Sequence, residues 1–167
     1  MKKKIMQLSI ILLAAVFIGL LLNGLNCKAT SAEKGEQAPD FTLKDPSGKE
    51  YKLSDLRGEV VVVNYFTTWC EPCLDEAPEL EAFNSEYKEA KLLVLAKGET
   101  SSRVKKYIDE SGSKLTYLLD TKEETAKAYN VVGQPETLII NEKGIIRERF
   151  SGPTTKEKLI EMIEKLH

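Results

Sequence analysis

Histidine is almost missing from this chain: of 167 residues one is histidine, and it is the last, His167. Cysteine is scarce as well, with three residues, Cys27, Cys70 and Cys73. These shortages exclude several kinds of chemistry. A structural zinc needs four nitrogen or sulfur ligands, and beyond the Cys70–Cys73 pair only Cys27 and His167 remain, at opposite ends of the chain. A c-type haem site needs histidine directly after a CxxC pair, and Leu74 stands there. A cysteine–histidine nucleophile pair has only the terminal residue to draw on. No metal is therefore expected, and no cofactor other than the cysteines themselves.

Acidic residues are absent before position 33, while four of the 24 basic residues (Lys2, Lys3, Lys4 and Lys28) lie there. The remainder has 20 basic against 26 acidic side chains, a formal charge of −6, which argues against nucleic acid as a partner because phosphate contacts need clustered Lys or Arg. The lysines precede an apolar run from Ile5 to Leu22, interrupted only by Gln7 and Ser9. Its length is near the lower limit for a membrane-spanning helix, and the positive-inside rule keeps the lysines in the cytoplasm and exports the remainder of the chain. Residues 1–28 thus read as a membrane anchor, 29–37 as a small, polar tether and 38–167 as one domain. A signal peptide cut near Ala29 or Ala32, giving a secreted protein, is the second reading, and lipidation at Cys27 the third. Disulfides persist outside the cytoplasm.

Within the domain, Phe41 to Lys44 and Tyr51 to Leu53 flank the turn-forming Asp45-Pro46-Ser47-Gly48 and predict a hairpin. "EVVVVNYF" (Glu59 to Phe66) predicts a strand buried on both faces. A helix from Glu71 to Lys88 comes next, with Leu74, Ala77, Leu80, Phe83 and Tyr87 at helical spacing and Pro78 inside it. "KLLVLAKG" is a second buried strand, Ser101 to Ser111 a helix stopped by Gly112, and "TYLLD" a short strand. Asp120, with Glu123 in a capping box, opens a helix from Thr121 to Tyr129. "ETLIINEKGIIRERF" reads as strand, turn and strand. Thr154 with Glu157 forms a second capping box, opening a helix whose inner face is Leu159, Ile160, Ile163 and Leu166. Strands alternating with helices predict a central mixed sheet flanked by helices.

The CxxC falls where the first buried strand meets its helix, the edge at which open α/β sheets place their sites. A pair this close in sequence closes almost no loop, so it is a poor structural staple. The helix start offers unpaired N–H groups and a partial positive charge, which favour a thiolate at Cys70 and make it the attacking nucleophile. Cys73 is one turn on and within disulfide reach. Pro72 has no N–H, which costs nothing in a first turn. Glu76 shares the face of Cys73; a carboxyl partly buried there is expected to have a raised pKa and to exchange the proton of the resolving cysteine, the alternative being one more solvated acid like its neighbours. Glu71 and Glu76 add negative charge that disfavours thiolate and leans the pair towards a reductant.

"APDFTL…SDLRGEVVVVNYFTTWCEPC", then "DEAP", and later "GQPETLIINEKGIIRERFSG", resemble the membrane-anchored TlpA/ResA-like thiol-disulfide oxidoreductases of the thioredoxin superfamily. The resemblance runs from about Ala38 to the end and implies a thioredoxin-like fold with an N-terminal hairpin and a helix–strand insertion at Ser101 to Asp120. It implies that Trp69 borders the site, that Glu76 is the buried acid, and that Pro135 is a cis-proline facing the disulfide. Trp69, Glu71, Pro72, Gln134 and Pro135 would then line the substrate groove. Two positions depart from the pattern. Asn64 stands where thioredoxin itself has a buried aspartate, and Gln134 stands where a threonine or small residue is common, so Gln134 and Glu136 bear on which substrates dock. The implied activity is reduction of disulfides in exported proteins, such as the haem-site cysteines of apocytochrome c, with a membrane thiol electron donor and a monomeric domain outside the cytoplasmic membrane. A disulfide-forming oxidant uses the same residues. "APDFTL…SDLRG" also opens peroxiredoxins, but Val63 stands where their nucleophile motif has proline.

Overall fold

The computed structural model describes residues 32–166. The anchor read at 1–28, Cys27 and His167 lie outside them. Among the described residues, no helix is long and apolar enough to cross a membrane.

The centre of the molecule is strand β3, Val60–Phe66, all seven residues of which are buried. β-branched side chains suit a pleated surface packed on both faces. Before it, β1 (Thr42–Lys44) and β2 (Glu50–Lys52) form the expected hairpin as a separate two-stranded sheet. β4 (Ala90–Lys97) and β5 (Tyr117–Asp120) extend the main sheet in parallel on one side of β3, while β6 (Glu136–Ile140) and β7 (Ile146–Ser151) extend it antiparallel on the other. The order is β5-β4-β3-β6-β7.

The two-residue period of β3 divides the core. Val61, Val63 and Tyr65 enter one apolar cluster, with Tyr129, Leu53 and Phe41 from outside the sheet. Val60, Val62 and Phe66 enter the other, beneath helices α1 (Glu71–Glu86) and α4 (Lys156–Glu164), with Leu80, Phe83 and Ile163. Asn64 is in phase with Val62 and Phe66 and so faces α1. Each fully buried Leu or Phe contributes about 1.5–3 kcal/mol relative to exposure.

The buried stripe of α1 is Cys73, Glu76, Leu80 and Phe83, a three-and-four spacing that includes a carboxylate. Leu74, expected on the inner face, is exposed instead, because the stripe runs through Cys73. Helix α2 (Ser101–Ser111) has the expected bounds, and Gly112 ends it in the left-handed region at φ 69°, where glycine carries no Cβ penalty.

Three expectations are corrected. The helix after Asp120, α3, is only Glu124–Ala128. Its N-cap is Glu123, left-handed at φ 56° and forming no capping box, while the Asp120 carboxylate accepts the first-turn N–H groups of Thr125 (3.2 Å) and Ala126 (2.9 Å). The N-cap of α4 is Thr155, whose hydroxyl accepts from the Lys158 N–H. Thr154 instead gives its own N–H to Glu76. Finally, residues 32–37 are no free tether. The Gly35 N–H donates to the Ile146 carbonyl (2.7 Å), the Ile146 N–H to the Glu36 carbonyl (2.9 Å), and Gln37 bridges Ile145, so this segment borders β7.

Candidate functional site

β3 ends at Phe66, and a short turn later Cys70 is the N-cap of α1, with extended backbone at φ −89° and ψ 104°. Its Sγ accepts the Cys73 N–H at 3.3 Å, so one of the orphan donors of the helix start points at the sulfur. Glu71 and Pro72 form the exposed beginning of the helix. Cys70 and Cys73 are joined by a disulfide, with Cα atoms 5.2 Å apart. Cys73 is sealed at 1% exposure, whereas Cys70 keeps 7% and is the more accessible of the two. Trp69, 67% exposed, stands beside it.

Across from this turn, the Gln134–Pro135 peptide is cis, as the resemblance implied. The Gln134 carbonyl oxygen lies 3.6 Å from Cys70 Sγ. In the disulfide this is a contact only, since the sulfur carries no proton, but a reduced thiol at the same place can donate to it. The Gln134 side-chain amide reaches the Thr67 hydroxyl at 3.5 Å. Pro135 is buried behind it. Glu136, expected beside the groove, is turned under the sheet at 3% exposure and paired with Arg149.

Glu76 is buried beneath the cysteines, on their helix. One oxygen accepts the Thr154 N–H at 2.9 Å, and the other accepts the Asn64 amide at 3.1 Å. The same Asn64 nitrogen donates to the Thr137 hydroxyl at 3.0 Å, as the pairing of Asn64 with Thr137 across β3 and β6 requires. Burial is the main influence on Glu76 and disfavours its charged form, while the two donors pull the other way; the carboxyl is pushed up to about 7. Near neutral pH it can therefore both take and give a proton. The neighbouring acids have other duties: Glu79 accepts the Lys156 N–H and Glu81 the Lys114 N–H, which dock α4 and the loop before β5.

Glu99 was not singled out by the sequence, yet it is completely buried. It accepts both the N–H (3.0 Å) and the hydroxyl (2.9 Å) of Thr68, and pairs with Arg103 at 3.3 Å. Thr68 lies just before Trp69 and Cys70, so Glu99 fixes the approach to the cysteine turn. A signal existed: β3 and β4 are adjacent and parallel, with Phe66 opposite Ala96, so the loops after them meet at the sheet edge. An acid just past the end of that register is a candidate partner for the first loop.

The arrangement thus collects Trp69, Cys70, Glu71, Pro72, Cys73, Glu76, Gln134 and Pro135 at one edge of the sheet. Comparison with known proteins gives a consistent result. The AhpC/TSA family model matches residues 34–149. A thioredoxin-like protein, YneN, of Bacillus subtilis is 36% identical over 142 residues, 82% of each chain. The thiol-disulfide oxidoreductase ResA of Geobacillus kaustophilus is 33% identical over 159 residues, 94% of this chain and 91% of that one. The crystal structure of StoA from Bacillus subtilis superposes with a TM-score of 0.68 at 26% identity, covering 75% of this chain and 97% of the other. The fold is thioredoxin-like, as the resemblance implied.

Proposed function

Because the chain belongs to the AhpC/TSA family and, within the thioredoxin superfamily, to the ResA-like thiol-disulfide oxidoreductases, we propose that it is an extracytoplasmic disulfide reductase working through Cys70 and Cys73. The observation that carries this reading is the Cys70 sulfur at the start of α1, receiving the Cys73 N–H on one side and facing the Gln134 carbonyl on the other.

In the reduced protein the Cys70 thiolate attacks one sulfur of a substrate disulfide. A Cys70–substrate bond forms, the substrate S–S bond breaks, and the released substrate thiolate takes a proton. Cys73 then attacks Cys70 Sγ, closing the Cys70–Cys73 disulfide and releasing the second substrate thiol. Two electrons pass to the substrate and the protein is left oxidised. Sealed in the interior, Cys73 must lose its proton to attack, and Glu76, on its own helix face and titrating near 7, is the group to receive it. Asn64 cannot ionise, so it holds Glu76 rather than relaying the proton. Trp69, Glu71 and Pro72 on one side, with Gln134 and Pro135 on the other, form the groove for a polypeptide. No cofactor beyond the cysteine pair enters these steps.

The wider setting rests on the N-terminal residues and the family resemblance. Residues 1–28 anchor the domain outside the cytoplasmic membrane, a membrane thiol donor re-reduces the pair, and the domain acts as a monomer. Exported proteins with closed cysteine pairs, such as apocytochrome c before haem attachment, are the substrate class. The deciding measurement is the reduction potential of Cys70–Cys73 in the full chain, equilibrated in thiol buffers. A value near about −270 mV supports the reductase, whereas one near about −120 mV makes the protein a disulfide-forming oxidant. Rapid consumption of hydrogen peroxide by the reduced chain would instead favour a thiol peroxidase.

A further inference from the structure

The segment from Tyr129 to Pro135 joins α3 to β6 without regular structure, and its end lies across from Cys70. It carries Val132, 95% exposed, and Gln134, whose carbonyl meets Cys70. A loop of this kind moves unless something outside it holds it. Core packing of Tyr129 and Val131 and the Gly152 N–H on the Pro135 carbonyl hold parts of it, and the side chain that ties its start to the strand after it is Arg149, in the middle of β7. Its Nη1 donates to the carbonyls of Tyr129 (2.7 Å) and Ala32 (2.8 Å), and its Nη2 donates to the carbonyl of Asn130 at 3.0 Å and pairs with Glu136 Oε1 at 2.5 Å. Both partners of the ion pair are largely shielded, at 16% and 4% side-chain exposure.

One guanidinium therefore grips this segment at its start, at Tyr129 and Asn130, and just past its end, at Glu136. We propose that Arg149 is a positioning residue for substrate docking: its planar fork sets the height of the Val132–Gln134 wall over Cys70. It does so without touching the cysteines or Glu76. The proposal rests on the exchange reaction at the cysteine pair. Through the Ala32 carbonyl the same side chain also fastens the segment that leads in from the N-terminal apolar run.

The chemistry of the fork makes the idea testable. Arginine presents five N–H donors in a fixed plane, whereas lysine is a compact point charge on a flexible stem. R149K keeps a positive charge beside Glu136, which avoids leaving a buried carboxylate unpaired, but it cannot serve three carbonyls and a carboxylate together. E136Q removes the charge and keeps an acceptor for Nη2. The experiment monitors reduction of a synthetic peptide closed by one disulfide, using the full-length protein and its variants, with the reduction potential and thermal unfolding of each recorded alongside.

For R149K the KM for the peptide should rise about tenfold while kcat stays near wild type, the pattern of lost positioning rather than lost chemistry. The potential should stay at the wild-type value, and E136Q should retain most of the wild-type affinity. An R149K chain with wild-type KM overturns the clamp. So does a fall in kcat equal to the rise in KM together with loss of cooperative unfolding, which marks a merely structural residue. If the wild-type chain cannot reduce the peptide at all, the exchange reading fails and the clamp with it, so the two failures are told apart by the wild-type control.

Discussion

The wall that bears Cys70 and the wall that bears Pro135 meet where Cys70 Sγ lies 3.6 Å from the Gln134 carbonyl, yet they are held by different means. The cysteine wall is local: a buried strand runs into a helix, and Cys70 caps that helix with its own sulfur. Distant support comes from Glu99, brought alongside by the next parallel strand, and from the Gln134 amide on Thr67. The proline wall is an irregular segment tied at Tyr129 and Asn130 by Arg149, which pairs with Glu136, and at Pro135 by the Gly152 N–H. Between them sits Glu76, on the first wall's helix, gripped by Thr154 from the loop that enters α4. The cysteines and Glu76 are thus placed on a regular element, while the irregular segment opposite them is tied by side chains from afar.

The contrast between the walls breaks most severely at the cysteines. C70S should reduce exchange to the uncatalysed background, and C73S should accumulate a mixed disulfide with the substrate; both are read by thiol release and mass spectrometry. Next comes Glu76. E76Q should slow exchange by about a hundredfold at pH 7, since it removes the proton acceptor.

The same change should stabilise the fold at high pH. The folded carboxyl titrates near 7 against an ordinary value of 4.5, so between these values the folded chain holds a proton that the unfolded chain has lost. Stability therefore falls as pH rises through this window. Below it Glu76 contributes nothing, and above it the full cost, at most about 3 kcal/mol, persists. Urea unfolding of the wild type at pH 4.5 and 8 should show the decline, and E76Q should lack it.

Smaller effects sharpen the contrast. E99A removes the acceptor for two Thr68 donors and should cost about 2–3 kcal/mol, with slower exchange as the cysteine turn loosens. T155A should cost about 1 kcal/mol as the loss of a helix cap. T154A should cost much less, because its buried hydroxyl has no hydrogen-bond partner among the described residues and its contribution to Glu76 is a backbone N–H. Chemical denaturation of the pair would show which threonine caps α4.

That last pair marks a limit of reading by rule. A threonine with glutamate three residues later signals a capping box, and Thr154 with Glu157 satisfies it. The structure moves the cap one residue on: Thr155 takes it, while the Thr154 N–H serves Glu76. The helix after Asp120 failed differently. Asp120 does supply acceptors to the first turn, but the N-cap is Glu123, whose left-handed backbone delays the helix to Glu124, and nothing local announces a non-glycine residue with positive φ. Leu74 matched helical spacing as well as any apolar residue in α1, but the buried stripe runs through its neighbour Cys73 and Glu76, which leaves Leu74 exposed.

What the sequence determined by itself was whatever rests on short-range regularities. The valine run made a central strand, Gly112 ended a helix, and the spacing of Cys70, Cys73 and Glu76 put two cysteines and a buried carboxyl together at the start of one helix. These depend on backbone geometry within a few residues, which a linear reading can see. Tertiary structure alone decided the rest: Asn64 and Thr154 on Glu76, Glu99 under Thr68, and Arg149 gripping Ala32, Tyr129, Asn130 and Glu136. Each of those contacts joins side chains or carbonyls far apart in the chain, and each arises because a buried charge must find donors or counter-charge wherever the packed fold brings them.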